Sequence, residues 1–255
     1  MPDAKRRSCA QRPSRFASCR SAAAATFALA TALISGTLLA GSSAGVRGKV
    51  SGWDKLLPRV YAEAAKEDSH RYTWREPSAT VKQEFRKLSA NVSRDVCIAA
   101  FSSGAAHAHE PLPVKVTGGR ITPSTIVLSP GSRLAFKNDD PFPHVLYEVN
   151  GPAWAPNPTA PGSTREWAAG APGLHVIRDQ LFPSVVMYVD VDPQAVEFAF
   201  PDHEGTFTMS LPPGDYTLKA FFEGKAASKP VDGLHVEGRT VEIKEPMALF
   251  GGGAK

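Results

Sequence analysis

The segment His107-Ala108-His109-Glu110 sets two imidazoles two residues apart. In an extended backbone side chains alternate, so both rings face one side, an arrangement that suits copper or zinc. The segment is small and polar and runs into Pro111-Leu112-Pro113, so it also reads as a solvated linker. His175 and Asp179 stand four residues apart in a short run, and the same alternation puts them on one strand face. Asn138-Asp139-Asp140 and Asp190-Val191-Asp192 gather the oxygens that calcium takes, and both also fit ordinary turns. Trp53, Trp74, Trp154 and Trp167 could stack on a sugar or plug a core. Cys97 lies in Asp95-Val96-Cys97-Ile98-Ala99-Ala100-Phe101, a run that reads as a buried strand. There a cysteine acts as a small hydrophobe rather than a reactive thiol. There is no His-Glu-x-x-His pair and no phosphate-cradling glycine loop, and no enzyme is expected.

These residues need strands to position them. The chain has 22 Pro and 21 Gly, scattered without period between short apolar runs. That pattern predicts an all-β chain with many turns, long enough for two β-sandwiches. In 204–221, Phe207, Met209 and Leu211 share one face, and Tyr216, Leu218 and Ala220 share another, with Pro213-Gly214 between them as a turn. Further strands are expected at 234–236 and 241–243. Val46 to Gly52 and Pro58 to Ala64 read as two strands that would complete this C-terminal unit, which alone is too short for a sandwich. Val81, Phe85 and Leu88 recur at helical spacing behind Ser78, which predicts a short helix.

The longest motif runs from Thr117 to Val191. It opens with Gly119-Arg120-Ile121-Thr122-Pro123 and continues through Leu134-Ala135-Phe136-Lys137-Asn138-Asp139-Asp140 to Pro143-His144-Val145. It closes with Pro172-Gly173-Leu174-His175-Val176-Ile177-Arg178-Asp179-Gln180-Leu181-Phe182-Pro183-Ser184-Val185. This frame resembles the cupredoxin family, in particular the plastocyanin-like proteins found with methylamine utilisation. The resemblance implies a Greek-key sandwich and a type 1 copper site of one thiolate, two imidazoles and a weak thioether. In that register the first histidine falls on His144, the cysteine on Asp179, the second histidine on Phe182 and the axial methionine on Val185. One ligand type of four is kept. A carboxylate does not reproduce thiolate covalency, and Phe and Val do not ligate, so loss of type 1 copper is expected. Two alternatives stand beside that loss: a remodelled site of His144, Asp179 and His175, and a displaced thioether at Met187, which also reads as a core residue. The strand–turn–strand of 204–221 resembles the carboxypeptidase regulatory-like domain, a prealbumin-type sandwich that holds no catalytic metal.

The expected organisation is a signal peptide at 1–44, the N-terminal strands of a split sandwich with an irregular segment at 45–110, and a cupredoxin-like domain at 111–192. The remaining regulatory-like strands span 193–246, and a flexible tail spans 247–255. The cupredoxin-like unit is expected to be inserted into the split sandwich, or to precede its C-terminal part in simple sequence. Lys5, Arg6, Arg7, Arg12, Arg15 and Arg20 precede a small-residue apolar stretch and Ser42-Ser43-Ala44, which reads as a cleaved export signal or, uncleaved, a membrane anchor. Those 44 residues hold six basic side chains and one acidic, so the remainder has 23 basic and 24 acidic groups. No basic surface is left to neutralise phosphates, which argues against nucleic-acid binding. The expected protein is a periplasmic or secreted, non-catalytic binding or structural module without a cofactor, acting on a protein or glycan. The alternative is a periplasmic protein that binds copper or another metal through His144, His175, Asp179, His107 or His109.

Overall fold

The computed structural model describes residues 44–64, 89–104, 108, 110–151 and 154–250. The first stretch is β1 (Ala44–Ser51), a 3-10 turn at Trp53–Lys55, α1 (Arg59–Ala64), α2 (Val92–Asp95) and β2 (Val96–Phe101). Next come β3 (Leu112–Thr117), β4 (Arg120–Thr122), β5 (Thr125–Leu128), β6 (Arg133–Asn138), β7 (His144–Glu148) and β8 (Asn157–Thr159). They are followed by β9 (Thr164–Ala168), β10 (Gly173–Asp179) and β11 (Val186–Val191). The last stretch is β12 (Ala195–Ala199), β13 (Thr206–Leu211), β14 (Gly214–Phe222), β15 (Lys225–Ala226), β16 (Val231–Val236), β17 (Val241–Glu242) and β18 (Met247–Ala248). The chain is all-β, as its punctuation implied. No described helix is long and apolar enough to cross a membrane.

Four sheets form. β1 lies between β13 and β17 and also pairs with β18. A second sheet has the order β12-β2-β14-β15, with β16 also on β14. The third runs β5-β11-β10-β7-β8, and the fourth β4-β3-β6-β9. All strands of the last two sheets lie between 112 and 191, whereas β1 and β2 pair with strands that follow β11. The chain therefore leaves the first two sheets after β2, builds both others, and returns at β12.

β2 joins the two parts. All six of its residues are buried. Val96, Ile98 and Ala100 point into a core shared with Val46, Val50, Phe207, Met209, Leu211 and Leu218. Cys97, Ala99 and Phe101 point into the other core, with Ile126, Leu128, Phe136, Met187 and Val189. A strand covered on both faces loses the apolar–polar alternation and reads as continuous apolar sequence. Its three small residues let sheets close in from both sides, while burial of Val96 and Ile98 contributes roughly 1.5–3 kcal/mol each.

Several expectations change. Pro58–Ala64 is not the expected strand: 59–64 form α1. Pro58 presets the first turn, its carbonyl accepts from Tyr61 N at 3.0 Å, and Arg, Ala and Glu favour helix. β2 is the strand that pairs with β14. The Pro213-Gly214 turn does not close a paired hairpin: β13 pairs with β1 and β14 with β2, so the turn passes the chain from one sheet to the next. Tyr216 secures that corner by donating its hydroxyl to the Pro212 carbonyl at 2.9 Å. Residues 247–250 are not a tail, because β18 pairs with β1 and Met247 and Leu249 are buried in the first core. Ala44, placed in the signal segment, is the buried first residue of β1. The helix expected at 78–88, the rest of the signal segment, His107, His109 and Trp74 lie outside the described residues. Trp154 and Trp167 are buried in the second core and donate to the Glu166 carbonyl and to Glu148, so neither offers an open stacking face.

Burial pushes the Cys97 thiol up to about 12. A disulfide reagent at pH 8 is expected to leave Cys97 unmodified in the native protein and to reach it only after denaturation. Rapid modification of Cys97 in the native state, followed by mass spectrometry of its peptide, would refute the double-sided burial of β2.

Candidate functional site

His144 opens β7, where the register sets Leu146 opposite Asp179 of β10. By alternation His144, Leu146 and Asp179 share the face turned toward the fourth sheet. The imidazole is wholly buried. Its Nδ1 lies 2.6 Å from Asp179 Oδ2, and its Nε2 lies 3.0 Å from Asp140 Oδ2. In the imidazolium form both ring N–H groups donate, one to each carboxylate.

Each carboxylate is fixed from behind. Asp179 Oδ1 accepts from Leu181 N at 2.6 Å and Phe182 N at 3.1 Å, which shapes the turn after β10. Asp140 accepts from Gly118 N at 2.6 Å and Gly119 N at 3.1 Å. Those glycines have φ of 61° and 65° and form the two-residue turn between β3 and β4. Consecutive left-handed residues are what such a turn requires, and glycine takes them without steric cost. Asn138 organises the adjacent loop: its Nδ2 donates to the carbonyls of Phe142 and Thr159, and its Oδ1 accepts from Asp140 N. The Asn138-Asp139-Asp140 segment is thus a self-bonded turn. Asp192 likewise accepts from Gln194 N at 2.8 Å, an ordinary turn contact.

Aromatic rings wall the imidazole. Phe142 and Phe182 have ring centroids 5.3 and 5.0 Å from that of His144, and 4.7 Å from each other. Val185 is fully buried in the second core, as is Met187. Cys97 belongs to β2, in a different sheet from His144.

The structure brings together His144, Asp179 and Phe182, three of the four positions in the ligand register, and adds Asp140. It does not bring His175 to them. His175 Nδ1 lies 2.6 Å from Glu148 Oε1 and its Nε2 2.8 Å from the Ala171 carbonyl. The other Glu148 oxygen accepts from Trp167 Nε1 at 2.9 Å. Both His175 nitrogens are therefore engaged in a separate network, so the set His144–Asp179–His175 does not assemble. The role of Asp140 was missed because the residue reads as a turn former. Its place four residues before His144, with two glycines set to donate, was the available signal.

The donor set does not suit type 1 copper. Among the described residues His144 contacts carboxylates and aromatic rings, and Asp179 and Asp140 occupy opposite ring nitrogens. Among the described residues no cluster of three or more His, Cys, Asp or Glu side chains is arranged to hold an ion.

Burial disfavours the imidazolium, yet hydrogen bonds to Asp179 and Asp140 outweigh it and raise the His144 pKa above 6.5. Burial opposes the Asp140 anion, but the Gly118 and Gly119 amides and His144 hold it below the ordinary carboxylate range.

No family model and no curated protein matches this chain. Among solved structures it is similar to a Cu-containing nitrite reductase from Thermus scotoductus SA-01, with 20% identity, 36% of this chain covered and a TM-score of 0.29. That match spans 25% of the reductase chain. A purple cupredoxin from Nitrosopumilus maritimus is 17% identical, over 32% of this chain and 99% of its own, with a TM-score of 0.27. Amicyanin from Paracoccus versutus is 10% identical, over 37% of this chain and 97% of its own, with a TM-score of 0.30.

The bridge makes stability two-sided in pH. The raised His144 pKa contributes fully below the unfolded value near 6.5 and is lost as pH rises through the folded pKa. The depressed Asp140 pKa contributes above the unfolded value near 3.8 and is lost as pH falls through the folded pKa. The difference in melting temperature between wild type and His144→Phe should be largest between about pH 4 and 6.5 and shrink on both sides. A pH-independent difference would contradict the charged bridge. His144→Ala, which strands two carboxylates, should cost about 3–5 kcal/mol in urea unfolding at pH 6.

Proposed function

We propose that this chain is an exported, non-catalytic β-sandwich scaffold whose cupredoxin-like unit has exchanged its metal centre for an internal ion bridge. The observation that carries this reading is the double engagement of His144. The one retained ligand type gives Nδ1 to Asp179 and Nε2 to Asp140, so both ring nitrogens are engaged. Asp179 stands where the resemblance calls for a thiolate, and Phe182 and Val185 stand where it calls for an imidazole and a thioether. The bridge ties the β3–β4, β6–β7 and β10–β11 connections together, a role that metal coordination plays in a copper-bearing sandwich. On this reading the working surfaces are loops and sheet faces offered to a protein or glycan partner. Export rests on the basic and then apolar N-terminal sequence. The strands of 193–246, with β1 and β2, form the regulatory-like sandwich that the strand pattern resembles.

A second reading, binding of copper or another metal, draws on the two carboxylates beside His144. They supply oxygen donors, but an ion would have to displace a bridging proton and turn one carboxylate away from its backbone amides. His107 and His109 would be the other source of donors.

Titration of the protein with copper(II) and copper(I) separately, read by absorption and bound-metal analysis, tests both. The scaffold reading expects no binding tighter than micromolar and no intense thiolate–copper band. Stoichiometric binding lost in His144→Ala would replace it with the metal-binding reading at this site. The same loss in a His107→Ala/His109→Ala double variant would move the metal to the linker.

A further inference from the structure

β1 is paired along both of its edges. Ala44 to Lys49 pair with Leu211 to Thr206 of β13 on one side. On the other, Val46 and Arg47 pair with Val241 and Glu242 of β17, and Val50 and Ser51 with Met247 and Ala248 of β18. Ala44, Val46 and Val50 are buried in the first core with Met209 and Leu211. The strand thus begins at Ala44 with both its ladder partner and its side chain committed to the fold.

The basic and then apolar N-terminal sequence runs directly into this strand. Small residues fill Ala40-Gly41-Ser42-Ser43-Ala44, behind Leu38 and Leu39. A leader peptidase takes small side chains one and three residues before the bond it cuts. Leu38 closes the bond after Ala40, and Leu39 closes the bond after Gly41. Three bonds remain open, after Ser42, after Ser43 and after Ala44. Side-chain type alone favours the last, because alanine is the usual residue before the cut.

The fold separates the three. A cut after Ala44 removes a core side chain and the first pair of the β13 ladder. A cut after Ser43 puts the new ammonium group on Ala44, a buried residue, where it loses hydration. A cut after Ser42 leaves β1 whole and carries the ammonium group one residue before the strand begins.

We propose that the exported chain is processed between Ser42 and Ser43. The step is hydrolysis of that peptide bond by a leader peptidase of the exporting cell: water adds at the Ser42 carbonyl, the C–N bond breaks, and Ser42 leaves as a carboxylate while Ser43 keeps an ammonium group. The cut presupposes the export proposed above and adds the bond at which it ends.

The test is expression of the full chain in a bacterium, with intact mass and N-terminal sequencing of the exported product. A species beginning Ser43-Ala44-Gly45 is expected, and a product beginning at Ala44 or Gly45 overturns the proposal. Ala44→Val closes the bond after residue 44 but lies beyond the proposed one, so its processing should match wild type; loss of processing there overturns the proposal. Ala40→Leu should abolish cleavage after Ser42, and a product of that variant still beginning at Ser43 overturns it as well. Mass and sequence are covalent readouts and do not require either variant to fold. A wild-type chain that keeps all 255 residues refutes export, and the cut with it, an outcome distinct from cleavage at another bond.

Discussion

A strand covered on both faces has no surface left for a polar side chain, and β2 is such a strand. Val96, Ile98 and Ala100 serve one core, and Cys97, Ala99 and Phe101 serve the other. The second sheet is therefore a party wall between two β units. Its neighbours β12 and β14 come from beyond residue 194, so the wall pairs strands on either side of the whole intervening unit. Pairing across that sequence distance carries a loop-closure cost, which the apolar burial on both faces must offset.

The His144 bridge does for one end of the inserted unit what β2 does for the junction. It joins connections that are far apart in sequence by placing one imidazole between two carboxylates, each also held by backbone amides. A buried charge is tolerated when it is paired and its remaining hydrogen-bonding capacity is met. Here the Gly118-Gly119 turn and the turn after Asp179 meet it. The aromatic rings of Phe142 and Phe182 keep water from the imidazole, which strengthens the electrostatics that a solvated pair would lose. A second network at Glu148, His175 and Trp167 has the same character, with one carboxylate orienting two ring N–H groups.

Much of the β architecture was legible because period-two patterns reflect one buried face. Phe207, Met209 and Leu211 lie in the first core as the alternation required, and Val46 to Gly52 falls largely within a strand beside them. Pro58–Ala64 misled because a short segment with one Val and one Tyr satisfies both periods, and only Pro58 and the flanking helix formers separate them. Met247 and Leu249 looked like a tail because two buried residues are too few to make a pattern. At the site, the positions of His144, Asp179 and Phe182 could be read from the turn residues around them. Their mutual geometry, and the engagement of His175 with Glu148 instead, could not.

The sequence alone determined the all-β class and the apolar character of β2, because these depend on composition and local period. Only the tertiary structure decided that Asp140 and Asp179 take opposite nitrogens of His144, and that β1 pairs with β13 and β2 with β12 and β14, strands from the far end of the chain. The physical reason is one of range. Propensity and alternation act over a few residues, whereas a hydrogen bond between Asp179 and His144 depends on strand register and loop closure across the whole sandwich.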